Sequence, residues 1–216
     1  MQLTETIEKK AAQLFSIIFH PLLIPTYFLS ILLNTQSYIS FYIPFISKIK
    51  LIAFIFTSTF LIPLMLIYFV IFKANGLIQS LKMENRKERT YPFILTALLF
   101  YMIYYFLKQN NIPVINILAS FIWVSTLIIV VALLINLVWK ISIHMLGIGG
   151  LIGVWFVLNS KLFLNLYILI PILLLCAGLT GFARLKLNAH KPSEVYVGFI
   201  LGFTIMFSLF YFILKI

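Results

Sequence analysis

Three short polar islands interrupt a chain that is otherwise almost wholly apolar. The first runs from Lys82 through Arg86, Lys87, Glu88 and Arg89 to Pro92. The second is Lys140-Ile141-Ser142-Ile143-His144, and the third runs from Ala183 and Arg184 through Lys186 and His190 to Glu194. Together they hold two of the three histidines and three of the five carboxylates. Charge is expensive in such a chain and marks function by default. Cations, a hydroxyl, two imidazoles and a carboxylate suit one task, which is gripping a phosphate and transferring it.

The spacing within each island refines that reading. Over 73–88 no proline interrupts a helix, and Lys82, Arg86 and Arg89 fall at i, i+4 and i+7 on one side of it. Two of these cations, Lys82 and Arg89, can then hold one anion from two directions. A solvated basic helix on anionic lipid is the plainer use of the same residues. Ser142 opens a span, and capping alone would account for it. His144 falls in the first turn after it, at the positive end of a helix dipole, where phosphate also prefers to lie. His190 and Glu194 are four apart, within one turn. A carboxylate on one ring nitrogen sets the tautomer and leaves the other nitrogen to attack. Arg184 supplies a planar fork for phosphoryl oxygens. Pro192 and Glu194 also suit the first and third positions of a helix, so Glu194 has a structural use as well.

Membrane-crossing helices must position these residues. The chain has 216 residues, 63% of them hydrophobic and 10% charged, with mean hydropathy +1.12. A water-soluble domain of that balance could not cover its surface with polar groups. Apolar stretches near the roughly 20 residues that a crossing needs occur at about 12–34, 49–72, 91–107, 114–138, 143–158, 162–182 and 194–214. The expected fold is an all-α integral membrane protein, a bundle of six to seven transmembrane helices with an interfacial basic helix, forming a single domain over 1–216. His20-Pro21 and Pro25 predict a kink in the first span, and 35–48 reads as an interfacial loop. The N-terminal apolar run lacks a small-residue cleavage site and reads as an anchor. Two spans separate neighbouring islands, so all three islands return to one membrane face. Gly149-x3-Gly153 and Gly198-x3-Gly202 are faces through which the fifth and seventh spans can pack closely. That packing would bring Ser142 and His144 to His190; the alternative use of these faces is a homodimer contact.

Each island is a weak signal, but their order is specific. Lys82-x6-Arg89, then Ser142-x-His144, then Arg184-x5-His190-x3-Glu194 resembles the type 2 phosphatidic acid phosphatase (PAP2) superfamily, which includes lipid phosphate phosphatases. The resemblance covers about 82–194. Departures are Thr90-Tyr91 between Arg89 and Pro92, Ile141 and Ile143 around Ser142, Ala183 before Arg184, and Glu194 where the family has aspartate. The resemblance implies that His190 attacks phosphorus to form a phosphohistidine and that Glu194 orients it. It implies that Lys82, Arg89, Ser142 and Arg184 hold the non-bridging oxygens, and that His144 protonates the leaving group. It implies a hydrolase of lipid phosphate monoesters or diphosphates that uses no metal or other cofactor. A non-catalytic anionic-lipid binder that keeps the cationic cradle is the alternative function.

Other classes fit less well. The formal charge of +11 flanks apolar spans, so the partners expected are the bilayer and a membrane lipid phosphate, with no nucleic acid. No span carries a charge near its middle, which argues against a transporter or channel. There is no aspartate for an aspartate-rich prenyltransferase site. The single cysteine, Cys176, excludes an internal disulfide. His20 belongs to no island and reads as structural. Eleven of the sixteen lysines and arginines fall on the island side of the expected topology. The positive-inside rule then favours a cytoplasmic site in a bacterial inner membrane, although the site cations swell that excess and bacterial members of the family commonly face the periplasm.

Overall fold

The computed structural model describes residues 2–35, 38–41, 43–73, 86–110, 112–164 and 167–214, and every regular element among them is helical. The α-helices are α1 (Gln2–Ile18), α2 (Ile24–Asn34), α3 (Tyr38–Phe41), α4 (Phe45–Phe56), α5 (Ile62–Lys73), α6 (Arg86–Lys108), α7 (Pro113–Val138), α8 (Ile143–Leu162), α9 (Leu169–Lys186) and α10 (Pro192–Ile213). Among the described residues seven stretches are long and apolar enough to cross a membrane: Glu5–Asn34, Phe45–Tyr68, Arg89–Lys108, Pro113–Val138, Ile143–Leu162, Leu169–Lys186 and Pro192–Ile213. In hydrocarbon every backbone N–H and C=O must find its partner inside the chain, and a helix achieves this within one segment. The protein is an all-α integral membrane protein.

The differences from the sequence reading have local causes. The first crossing is broken as well as kinked. His20 is extended (φ −64°, ψ 134°), and a 3₁₀ turn, Pro21–Leu23, follows it. A residue before proline is driven out of the α region, which ends α1 there. The expected loop over 35–48 is shorter, because α4 starts at Phe45 directly after Pro44. Lys48 Nζ donates to the Leu33 carbonyl at 2.7 Å, covering an orphan carbonyl at the end of α2. A π turn, Thr57–Leu61, joins α4 to α5. The fifth crossing extends to Leu162 and stops where Phe163 turns left-handed (φ 50°). Of the expected interfacial helix, Arg86 to Glu88 form the first turn of α6, whereas Lys82 lies outside the described residues.

Contacts group the chain into two compact units. One holds the described residues of 25–139 with 213 and 214. Within it α6 pairs with α7, Phe28 stacks on Phe121 (centroids 4.1 Å apart), and Tyr104 stacks on Trp123 (5.0 Å). The other holds the described residues of 2–24 and 140–212. Here α1 packs on α9, and Lys186 pairs with Glu8.

In the same unit α8 and α10 meet through the two glycine pairs. A Cβ on Gly153 would lie 2.8 Å from the Phe203 carbonyl oxygen, and one on Gly198 would lie 2.8 Å from that of Ser142. Cβ atoms on Gly149 and Gly202 would collide with the carbonyls of Phe199 and Leu146. Lipid tails are as apolar as leucine, so close backbone packing must hold such helices together. These glycine faces are therefore occupied inside the chain, where the sequence reading left a homodimer contact as their alternative use.

Candidate phosphate site

The third island is a helix stop followed at once by a helix start. Ala189 N–H donates to the Arg184 carbonyl (3.1 Å) and Asn188 N–H to that of Leu185 (2.9 Å). Asn188 itself is left-handed (φ 51°). This is the Schellman arrangement, and asparagine is the residue other than glycine that most readily takes such a position. The chain then re-enters a helix at Pro192, whose fixed φ and missing N–H suit the first position. Glu194 falls in that first turn, where the helix dipole favours a carboxylate. The Arg-x5-His-x3-acid spacing thus reports a tight turn carrying Arg184 on one helix end and Glu194 on the next helix start.

That turn aims His190 at Glu194. His190 Nδ1 lies 2.6 Å from Glu194 Oε2, and the two side chains are 1% and 7% exposed. At this distance the carboxylate accepts the Nδ1 proton, which places the lone pair of the ring on Nε2.

The second island packs against this dyad. Ser142 N–H donates to the Glu194 carbonyl at 3.3 Å, so the backbones of the two islands are joined directly. Ser142 holds the N-cap position of α8 (φ −82°, ψ 103°), but its side chain makes no cap hydrogen bond. Capping, the bland account of this serine, is therefore absent. Its hydroxyl is fully buried and has no hydrogen-bond partner among the described residues. His144 is buried one residue into α8, and its Nδ1 likewise has no partner among the described residues. A buried polar atom left unmatched costs about 1–3 kcal/mol. Two of them at one helix start call for a functional account. Ile143, between them, is half-buried.

Two residues of α1 and its exit, neither assigned to the site from sequence, complete the cluster. His144 Nε2 lies 3.1 Å from the Ser16 carbonyl oxygen and 3.4 Å from Ser16 Oγ. Arg184 Nη1 donates to Ser16 Oγ at 2.6 Å. His20 packs edge-on against His144, with centroids 5.6 Å apart at 81°. Its Nδ1 also accepts from Leu22 N–H at 3.3 Å. His20 therefore keeps the structural role expected of it, as the cap of the 3₁₀ turn, and also forms a wall of the site.

Of the residues singled out from sequence, Ser142, His144, Arg184, His190 and Glu194 come together in one unit. Arg89 belongs to the other unit, where it lies in the first turn of α6 and is half-buried. Lys82 lies outside the described residues. Among the described residues no three His, Cys, Asp or Glu side chains gather in a metal-binding cluster. No protein-family model matches the sequence, and no curated protein or solved structure matches it.

Proposed function

We propose that this protein is a membrane-embedded lipid phosphatase that works through a phosphohistidine, in line with its resemblance to the type 2 phosphatidic acid phosphatases. One observation carries the reading. A buried His190–Glu194 dyad sits beside a buried hydroxyl and a buried imidazole nitrogen that no described group satisfies. Ser142 Oγ and His144 Nδ1 would find their partners in the phosphoryl group and the leaving oxygen.

The chemistry runs in two steps. In the first, His190 Nε2 attacks phosphorus, and the bond from phosphorus to the lipid oxygen breaks. His144, protonated at both nitrogens, gives its Nδ1 proton to that oxygen. A proton on the leaving alkoxide lowers the barrier typically 10²–10⁴-fold. In the second, water attacks phosphorus, His144 Nδ1 takes the water proton, and the P–N bond breaks to release phosphate. Arg184 and Ser142 hold non-bridging oxygens, where charge must be stabilised in the transition state. The resemblance gives Lys82 and Arg89 the same role. Glu194 fixes the tautomer of His190 and stabilises the ring as it becomes cationic. The site faces the cytoplasm in a bacterial inner membrane, following the excess of basic residues on the island side.

Released phosphate tests this reading. Purified protein in detergent is offered phosphatidate, phosphatidylglycerophosphate, polyprenyl phosphate and diphosphate, and lipid A. Turnover of at least one that disappears in His190→Ala is the expected result. A protein that binds these lipids but hydrolyses none is the non-catalytic binder instead.

A further inference from the structure

We propose that Ser16, on the first helix, is a positioning residue of the site: its carbonyl oxygen holds His144 with a proton on Nε2, which leaves Nδ1 as the working nitrogen, and its hydroxyl steadies the guanidinium of Arg184. This rests on the phosphatase reading only in giving that nitrogen a reaction to serve.

The argument starts from the end of α1. In a continuing helix the Ser16 carbonyl would accept from His20 N–H. Here His20 is extended, because Pro21 follows it. Its N–H goes to Ile17 at 3.2 Å, and Phe19 N–H goes to Phe15 at 2.9 Å. Ser16 O is thus one of the carbonyls that a helix C-terminus leaves over, and His144 Nε2 stands 3.1 Å from it. A carbonyl can only accept, so Nε2 must carry the proton. The opposite nitrogen, Nδ1, is the buried atom that no described group satisfies.

The hydroxyl has a separate task. Arg184 Nη1 donates to Ser16 Oγ at 2.6 Å, and a neighbouring ion pair, Glu8 to Lys186, fastens the same two helices. One residue therefore sets both the acid and the cation of the site. A single break, at His20-Pro21, makes its carbonyl available.

Two measurements on the full-length protein decide the proposal. In the first, kcat for lipid phosphate release is compared in wild type, Ser16→Ala, Ser16→Thr, Arg184→Ala and the double variant Ser16→Ala/Arg184→Ala. Ser16→Ala is expected to lower kcat about tenfold, the worth of one hydrogen bond to a charged group, with KM changing less. Threonine should restore most of the loss. The double variant should be no worse than Arg184→Ala, because the two act as one unit. Full activity in Ser16→Ala, or additive losses in the double variant, would overturn the hydroxyl's role. In the second, ¹⁵N-histidine NMR reads the His144 ring at neutral pH, assigned by the signal lost in His144→Gln. A proton on Nε2 with a bare Nδ1, or the doubly protonated ring, is expected. A neutral ring protonated at Nδ1 would overturn the carbonyl's role. The NMR result stands whether or not the protein proves to be a phosphatase. A wild type without activity but with the expected tautomer would refute the function and leave the geometry intact.

Discussion

At the scale of single residues, the account turns on atoms that are buried and unmatched. Ser142 separates the catalytic from the structural explanation. If its hydroxyl were a cap, Ser142→Ala would cost about 1 kcal/mol of stability. No cap bond is made, so the substitution should leave thermal stability unchanged or slightly raised. Activity should fall by the equivalent of about 1.5–3 kcal/mol, the loss of a hydrogen bond to a charged oxygen. A melting curve and a kcat from the same preparation check both halves; a lower melting temperature with full activity would restore the cap. His144→Ala tests the proton donor. It should slow an alkyl phosphate far more than an activated aryl phosphate, since only the alkoxide leaving group needs a general acid. Equal losses on both substrates would assign His144 to binding. His144, Arg184, His190 and Glu194 were legible as candidates because charge and imidazole stand out in an apolar chain, and Ser142 through its place in the order of the islands. Ser16 was not. Its carbonyl is a group every residue has, and only the break at Pro21 leaves it available. His20 read as structural because it stands apart from every island, yet the fold brings it to His144.

At the scale of elements, α8 and α10 set the spacing between Ser142 and Glu194. Gly202 admits the backbone of Leu146 so closely that no Cβ fits, whereas Gly178 on α9 faces open space. Gly202→Ala should destabilise the protein by about 1–3 kcal/mol through overpacking and lower activity as the two islands part. Gly178→Ala should be neutral or stabilising by up to about 1 kcal/mol, the usual gain of alanine over glycine in a helix. Thermal unfolding in one detergent orders the two; a Gly202→Ala protein as stable as wild type would mean that the helices do not pack as described. Element positions were largely legible, because each crossing is a predominantly apolar run. Their ends were less so. The start of α4 at Phe45 comes with a tertiary tie, Lys48 to Leu33, and hydropathy carries no trace of it. The turn at Asn188 hid in plain residues, since asparagine signals a left-handed stop only once the helix before it is known.

At the scale of the molecule, the cytoplasmic face proposed for the site rests on the distribution of basic residues. α8 spans 20 residues, about 30 Å at 1.5 Å per residue. It carries Ser142 at its start and Ser160 near its far end. With Cys176 replaced by serine, Ser160→Cys should be labelled by a membrane-impermeant thiol reagent in intact cells, and Asn188→Cys should not. The reverse pattern would move the site to the periplasmic face without touching its chemistry. The chemistry itself has one most direct test. Protein mixed with a lipid carrying radiolabelled phosphate and quenched in alkali, which preserves phosphohistidine, should retain label in wild type and none in His190→Ala. Glu194→Gln should accumulate less of it. Label that persists in His190→Ala, or a wild type that releases phosphate without ever carrying label, would contradict the covalent route through His190.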